Sequence, residues 1–152
     1  MAEAAEREER AVFRAYLERH HLKRSDQREA ILDTFLESER HLSVEDLLRL
    51  VQKRRPDIGR TTVYRTLKLL QEAGLAQELV LDGQSRFELD YNRAHHDHFI
   101  CRDCSEIFEF ASDEIERIQD EIAANIGFEI DGHRHQIYGR CRACRDKGPR
   151  KP

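Results

Sequence analysis

The sequence predicts an α+β chain built as two unequal parts. Four helical patterns succeed one another up to Gly74, and two β-prone runs then flank the turn signal Asp82-Gly83. Beyond residue 94 the pattern changes to short strands, one helix and two Cys-x-x-Cys pairs. Helices closed by a two-stranded wing follow the order of a winged helix, with the fourth helix in the place of the recognition element. The expected division is a winged-helix domain over residues 1–90, a connection over 91–94 and a small α+β domain over 95–152.

Each element has a local reason. In the first helix Val12, Phe13, Tyr16 and Leu17 form an i, i+1, i+4, i+5 stripe behind an acidic first turn. His20 and His21 fall at its C-terminal end, where the helix dipole favours them. Ser25 can cap a second helix, in which Ile31, Leu32, Phe35 and Leu36 repeat the spacing. Ser43 with Asp46 has the form of a capping box for a third, which carries Leu47, Leu48, Leu50 and Val51 and should end before Pro56. The fourth starts near Thr61, buries Val63, Leu67 and Leu70, and stops at Gly74, a good left-handed terminator. In LAQELVLDGQSRFELD the Asp-Gly pair signals a hairpin. Past the connection, HDHFIC and EIFEF read as strands flanking a CRDC knuckle. Residues 112–126 read as a helix striped by Ile115, Ile118, Ile122 and Ile126 and closed by Gly127. FEID and HRHQIYG read as two more strands around Asp131-Gly132, and the tail RDKGPRKP as frayed.

Composition narrows the function. Of 152 residues, 39% are hydrophobic and 37% charged, against about 25% charged in an average domain. Cores of that make-up are modest, so bound metal or oligomerisation is expected to support them. No apolar run is long enough to cross a membrane, and the acidic start MAEAAEREERAVF lacks the apolar stretch of a secretory signal. A cytoplasmic protein is expected, whose reduced cysteines bind metal rather than form disulfides. The net charge of −4 hides a basic patch: Arg49, Lys53, Arg54, Arg55, Arg60, Arg65 and Lys68 are opposed in that stretch by Asp57 alone. Arg19, Lys23, Arg24 and Arg28 form a second basic cluster around Asp26. Residues 95–152 are acidic instead, with 9 bases and 12 acids. A basic helix in this frame points to nucleic acid.

The strongest chemical signal is Cys101-x-x-Cys104 with Cys141-x-x-Cys144. Two such pairs complete a Cys₄ zinc site, and four thiolates leave no open position for catalysis. The second signal is His95-His96-Asp97-His98 at the head of a strand. Side chains alternate there, so His96 and His98 point one way while His95 and Asp97 point the other, and one strand can feed two metal sites. Glu109, placed opposite Phe108 and Phe110 in the next strand, needs a partner that the His96/His98 face could supply. His41, in the loop before the Ser43 cap, reads on its own as a solvated residue. His133 and His135 share one face, and parity does not choose between them.

Together GRTTVYRTLKLLQEAGL, FELD, HHDHFICRDC, EIFEF and the closing CRAC resemble the ferric uptake regulator family, in that order and over roughly residues 12–145. The resemblance implies a dimeric, metal-sensing winged-helix transcriptional regulator. It places a regulatory metal site on His41, Glu88, His96, His98 and Glu109, and a second dimerisation-domain site on His95, Asp97, Glu116 and His133. Structural zinc falls on Cys101, Cys104, Cys141 and Cys144. The resemblance also implies DNA contacts by Tyr64 and Arg65, beside Arg60, Thr61 and Thr62 at the start of the fourth helix, and by Lys23 in a minor groove. Glutamates at 88 and 109 match iron sensors, where the peroxide-sensing branch has aspartates. The absence of a spare cysteine counts against the zinc-sensing branch.

The expectation is thus a cytoplasmic repressor that senses Fe(II), with Mn(II) or Zn(II) able to take its place, and binds near-palindromic AT-rich operators as a homodimer or as paired dimers forming a tetramer. Manganese, zinc or peroxide sensing within the same family is the alternative. No membrane and no small-molecule substrate are expected. An enzyme is disfavoured because the chain lacks HExxH, GxSxG and P-loop motifs. A zinc-ribbon module that binds protein is disfavoured by the basic fourth helix and its wing.

Overall fold

The computed structural model describes residues 2–38, 41–81 and 83–149, with side chains from Glu8 onward. The chain divides into two compact units, residues 1–93 and 94–152.

In the first unit α1 (Ala2–Arg19), α2 (Asp26–Leu36), α3 (Val44–Gln52) and α4 (Arg60–Glu72) precede a hairpin of β1 (Ala76–Leu81) and β2 (Gln84–Leu89). The expected caps form. Ser25 Oγ accepts from the Arg28 N–H at 3.2 Å. At α3 the box closes both ways, Asp46 N–H to Ser43 Oγ at 3.1 Å and Ser43 N–H to Asp46 Oδ2 at 3.0 Å. Gly74 takes the left-handed φ of 75° that lets the chain leave α4 and enter β1. Leu81 pairs with Gln84 across the expected two-residue turn, in which Gly83 has φ 79°; Asp82 lies outside the described residues. One core joins all four helices to the hairpin through Phe13, Leu17, Ile31, Phe35, Leu47, Val51, Val63, Leu67, Leu70 and Phe87. Residues 91–93 group with this unit: the Tyr91 hydroxyl donates to Glu8 at 2.8 Å and its ring packs on the core.

A second, short link shapes this unit. Leu42 and Phe87 exchange backbone hydrogen bonds of 2.9 and 2.8 Å in an isolated antiparallel bridge. It fastens the loop before α3 to β2, and so makes His41 and Glu88 neighbours across the bridge.

The second unit holds β3 (Asp97–Cys101), β4 (Ile107–Phe110), α5 (Asp113–Ile126), β5 (Gln136–Gly139) and α6 (Arg142–Asp146). Its sheet has the order β4-β3-β5, with β4 antiparallel and β5 parallel to β3. Ser112 caps α5, and Gly127 ends it in the left-handed region.

Two expectations are corrected here. Residues 128–131 form no strand: the sheet holds β4, β3 and β5, and this segment joins neither outer edge, with Phe128 left 64% exposed. The segment expected to fray is partly ordered: α6 runs to Asp146, and Arg140 grips the Gly148 carbonyl at 2.7 Å. Residues 150–152 of that tail lie outside the described residues, as do the side chains of the acidic first turn of α1.

Most of the isoleucine stripe of α5 also lacks cover: Ile115 is half-buried, but Ile118, Ile122 and Ile126 are 43, 58 and 73% exposed. Among the described residues the apolar positions buried in this unit are Ile100, Cys101, Ala123 and Cys144. So small a core cannot account for a stable fold by itself.

Candidate metal centres and nucleic-acid interface

The two Cys-x-x-Cys pairs meet. All four Sγ atoms lie within 4.8 Å of one another, and the four cysteines are free thiols. Cys101 ends β3, and a turn with Ser105 at φ 62° brings Cys104 back beside it; Cys141 caps α6, whose single turn presents Cys144. Cys104 and Cys141 Sγ are 3.8 Å apart. A tetrahedron with zinc–sulfur bonds of about 2.3 Å has edges of about 3.8 Å, so the spacing suits that ion. The Cys141 N–H donates to Cys101 Sγ at 3.3 Å and is the main cause that lowers the Cys101 thiol to about 6. Hydrogen bonding with Cys104, then Cys141, pushes Cys144 up to about 12. Four thiolates cannot share so small a space without a cation to compensate them.

Arg140 braces this site. Its guanidinium donates to the carbonyls of Cys144 and Gly148, both at 2.7 Å, and pairs with Asp103 inside the first knuckle. The one side chain therefore ties both cysteine pairs together. Arg140→Ala should lower stability by about 2 kcal/mol, the scale of a charged hydrogen bond. Thermal unfolding checks this, and zinc should pass faster to a competing chelator.

His95, Asp97, Glu116 and His133 form a second group, one donor atom from each lying within 4.8 Å of the others. His95 Nε2 stands 3.3 Å from Asp97 Oδ1 and 3.3 Å from Glu116 Oε1. His133 Nε2 stands 3.5 Å from the same Asp97 oxygen and 3.3 Å from the same Glu116 oxygen. For bonds of about 2.0–2.1 Å a tetrahedron has edges of about 3.3–3.4 Å, so four donors of these types fit one ion. Asp97 Oδ1 and Oδ2, Glu116 Oε1 and His133 Nε2 are buried and make no hydrogen bond among the described residues. Buried polar atoms in that condition are costly, and a cation would satisfy them.

The five residues expected for the regulatory site fall in both units. In the first, His41 Nε2 lies 2.8 Å from Glu88 Oε2, brought there by the Leu42–Phe87 bridge, and Arg93 Nη1 stands 3.5 Å from that oxygen. In the second, His98 on β3 pairs directly with Glu109 on β4. His96 Nε2 is 3.7 Å from Glu109 Oε1, and its ring lies 4.9 Å from that of His98. Each unit thus gathers its own nitrogen and carboxylate donors.

The expected DNA-facing residues lie on the surface of the first unit. Tyr64 is 42% exposed on α4, with Lys68 Nζ 5.8 Å from its ring; Arg65 beside it is exposed. Arg60 and Thr61 are exposed and Thr62 half-buried; Arg60 pairs with Glu45 at 2.7 Å. Lys23 is exposed in the loop before α2, and its carbonyl accepts from Arg28. Val63, Thr66, Leu67 and Leu70 point the opposite face of α4 into the core, which fixes which face stays free.

Residues 19–138 match the ferric uptake regulator family. The chain belongs to that family. A ferric uptake regulation protein of Campylobacter upsaliensis is 41% identical over 138 residues, covering 89% of this chain and 88% of that protein. The Helicobacter pylori ferric uptake regulator, whose structure reveals three functional metal binding sites, superposes with a TM-score of 0.84 at 28% identity, covering 92 and 93% of the two chains. The iron-containing regulator of Francisella tularensis gives a TM-score of 0.74 at 36% identity, over 82% of this chain and 95% of that one. Members of the family are transcriptional regulators, not enzymes, with an α+β architecture.

Within this ferric uptake regulator family member, three residues carry no local signal of what they do, and the resemblance alone pointed to one of them, His41. Arg140 and Arg93 belong to no motif, and only the fold shows that they meet Asp103, two backbone carbonyls and Glu88. His41 gave no local signal because its partner is brought from 47 positions away by a bridge of one residue pair.

Proposed function

We propose that this protein is an Fe(II)-responsive, dimeric, DNA-binding repressor in which metal joins the two domains. The carrying observation is the split donor set, with His41 and Glu88 gathered on one unit and His96, His98 and Glu109 on the other. A shell of nitrogen and carboxylate donors with no thiolate suits a divalent first-row ion such as Fe²⁺. An ion held by all five residues supplies a cross-link between domains. Mn²⁺ and Zn²⁺ fit the same donor types, and the cell's free-metal levels decide among them. Iron in the Francisella tularensis regulator supports the iron reading.

Zinc at the four cysteines is the structural partner. The second cluster is a further metal site within one domain. Dimerisation uses exposed apolar side chains of the second unit, Phe99 and Phe108 on one face of its sheet and Ile118, Ile122 and Ile126 on α5. Two heads held by one dimer then reach successive half-sites of a near-palindrome, about 34–36 Å apart or a multiple of it.

DNA reading follows from the free face of α4. Arg65 can pair with guanine and Tyr64 can pack on a thymine methyl, while Lys23 suits a narrow AT-rich minor groove. Arg65→Ala should weaken operator binding by about 1–3 kcal/mol and relax the preference at one base position. A gel-shift series over single-base operator variants checks this. An equal loss on every sequence would make Arg65 a phosphate contact instead.

A further inference from the structure

His135 stands outside the four donors of the second cluster, yet it faces one of them. Asp97 is 1% exposed, and its two oxygens look in different directions. Oδ1 meets His95 Nε2 at 3.3 Å and His133 Nε2 at 3.5 Å, whereas Oδ2 meets His135 Nδ1 at 3.7 Å. Neither oxygen makes a hydrogen bond among the described residues. The two histidines lie two positions apart ahead of β5, so both reach the same carboxylate, one to each oxygen. His135 is itself held in place. Its carbonyl accepts from the His98 N–H at 3.1 Å, and its ring stands edge-on to Phe110 at 6.1 Å.

The carboxylate has two ways to meet an ion in this cluster. Bound through Oδ1 alone, it completes the four-donor set whose spacing fits a tetrahedron. Bound through both oxygens, it adds a fifth donor and opens the geometry. What decides is whether Oδ2 has another partner, because a buried carboxylate oxygen left without one is costly. An imidazole with its proton on Nδ1 supplies that partner once the ring moves by roughly 0.5–0.9 Å, from 3.7 Å to hydrogen-bond distance.

We propose that His135 is a positioning residue of this second site: its Nδ1–H donates to Asp97 Oδ2, holds Asp97 to a single metal bond through Oδ1, and keeps the site four-coordinate. The site then prefers zinc, which accepts a tetrahedron, over manganese, which favours six oxygen-rich ligands. This rests on the reading of the cluster as a metal site, and it adds a specificity role to a histidine outside the donor set.

The test uses the full-length dimer with zinc in the four cysteines and His96→Ala to silence the regulatory site, titrated with Co²⁺. Intense visible ligand-field bands mark tetrahedral cobalt, and weak bands mark five or six ligands. The parent should show intense bands without sulfur-to-cobalt charge transfer. His135→Leu should convert them to weak ones and lower Zn²⁺ affinity about 10–100-fold, the usual cost of an outer-shell loss. Mn²⁺ affinity should not fall. His135→Gln, whose amide N–H can reach Oδ2, should restore both the bands and the zinc affinity. The proposal is overturned if His135→Leu keeps the intense bands and the zinc-over-manganese ratio. It is overturned equally if that variant, still folded and dimeric, binds no cobalt, since His135 would then be a ligand. His133→Ala separates the two levels: cobalt bands that survive it would reject the metal site itself, whatever His135 does.

Discussion

Cys141→Ser should cost the protein about one tightly held zinc per subunit and most of its dimer. The four cysteines join points about forty residues apart, and structural zinc in small domains is worth on the order of 10–16 kcal/mol of folding free energy. The second unit has little to set against that loss: among its described residues Ile100 is the one large aliphatic side chain that is buried. Loss of the ion would also leave thiols packed together, since Cys101 favours the thiolate while Cys104 and Cys144 are held up as thiols. Serine replaces the sulfur with a weak zinc ligand at nearly the same size, so a packing change cannot explain the outcome. Metal analysis together with sedimentation reads both quantities. Full zinc content in a normal dimer would remove the site from the account.

Local signals in this chain could be read from the sequence, and long-range ones could not. Caps, the Asp-Gly turn and the cysteine pairs are local, and each was legible from a handful of neighbouring residues. Alternation along His95–His98 was legible too, because strand geometry alone sends Asp97 and His98 to opposite faces. Pairing across the chain was not. Phe128 and Ile130 alternate as a strand would, but a strand also needs a partner to pair with, and residues 128–131 pair with none of β3, β4 and β5. The isoleucine stripe of α5 carries the helical period correctly, yet the period says nothing about what covers it, and among the described residues Ile118, Ile122 and Ile126 stay exposed while Ile115 is half-buried. Glu88 lies beside Phe87 on β2, and both are buried, so alternation would have sent one of them to solvent. His41 on the bridge and Arg93 explain why that carboxylate tolerates burial. These are consequences of tertiary contacts that no window of sequence contains.

His96→Ala should abolish the effect of metal on operator binding while leaving the dimer and the cysteine zinc intact. Metal can strengthen DNA binding only through a preference for the arrangement of domains that DNA also prefers, typically about 1–3 kcal/mol, or roughly 5–150-fold. By linkage, operator DNA should tighten Fe²⁺ binding by the same factor. Glu116 belongs to a cluster whose four residues all lie in the second unit, so on the proposed reading an ion there does not join the units. The most direct measurement is operator affinity with and without Fe²⁺ under anaerobic conditions, for the parent, His96→Ala and Glu116→Ala. Loss of metal stimulation in His96→Ala, with most of it kept in Glu116→Ala, is the predicted result. The reverse ranking would contradict a regulatory site shared between the two domains.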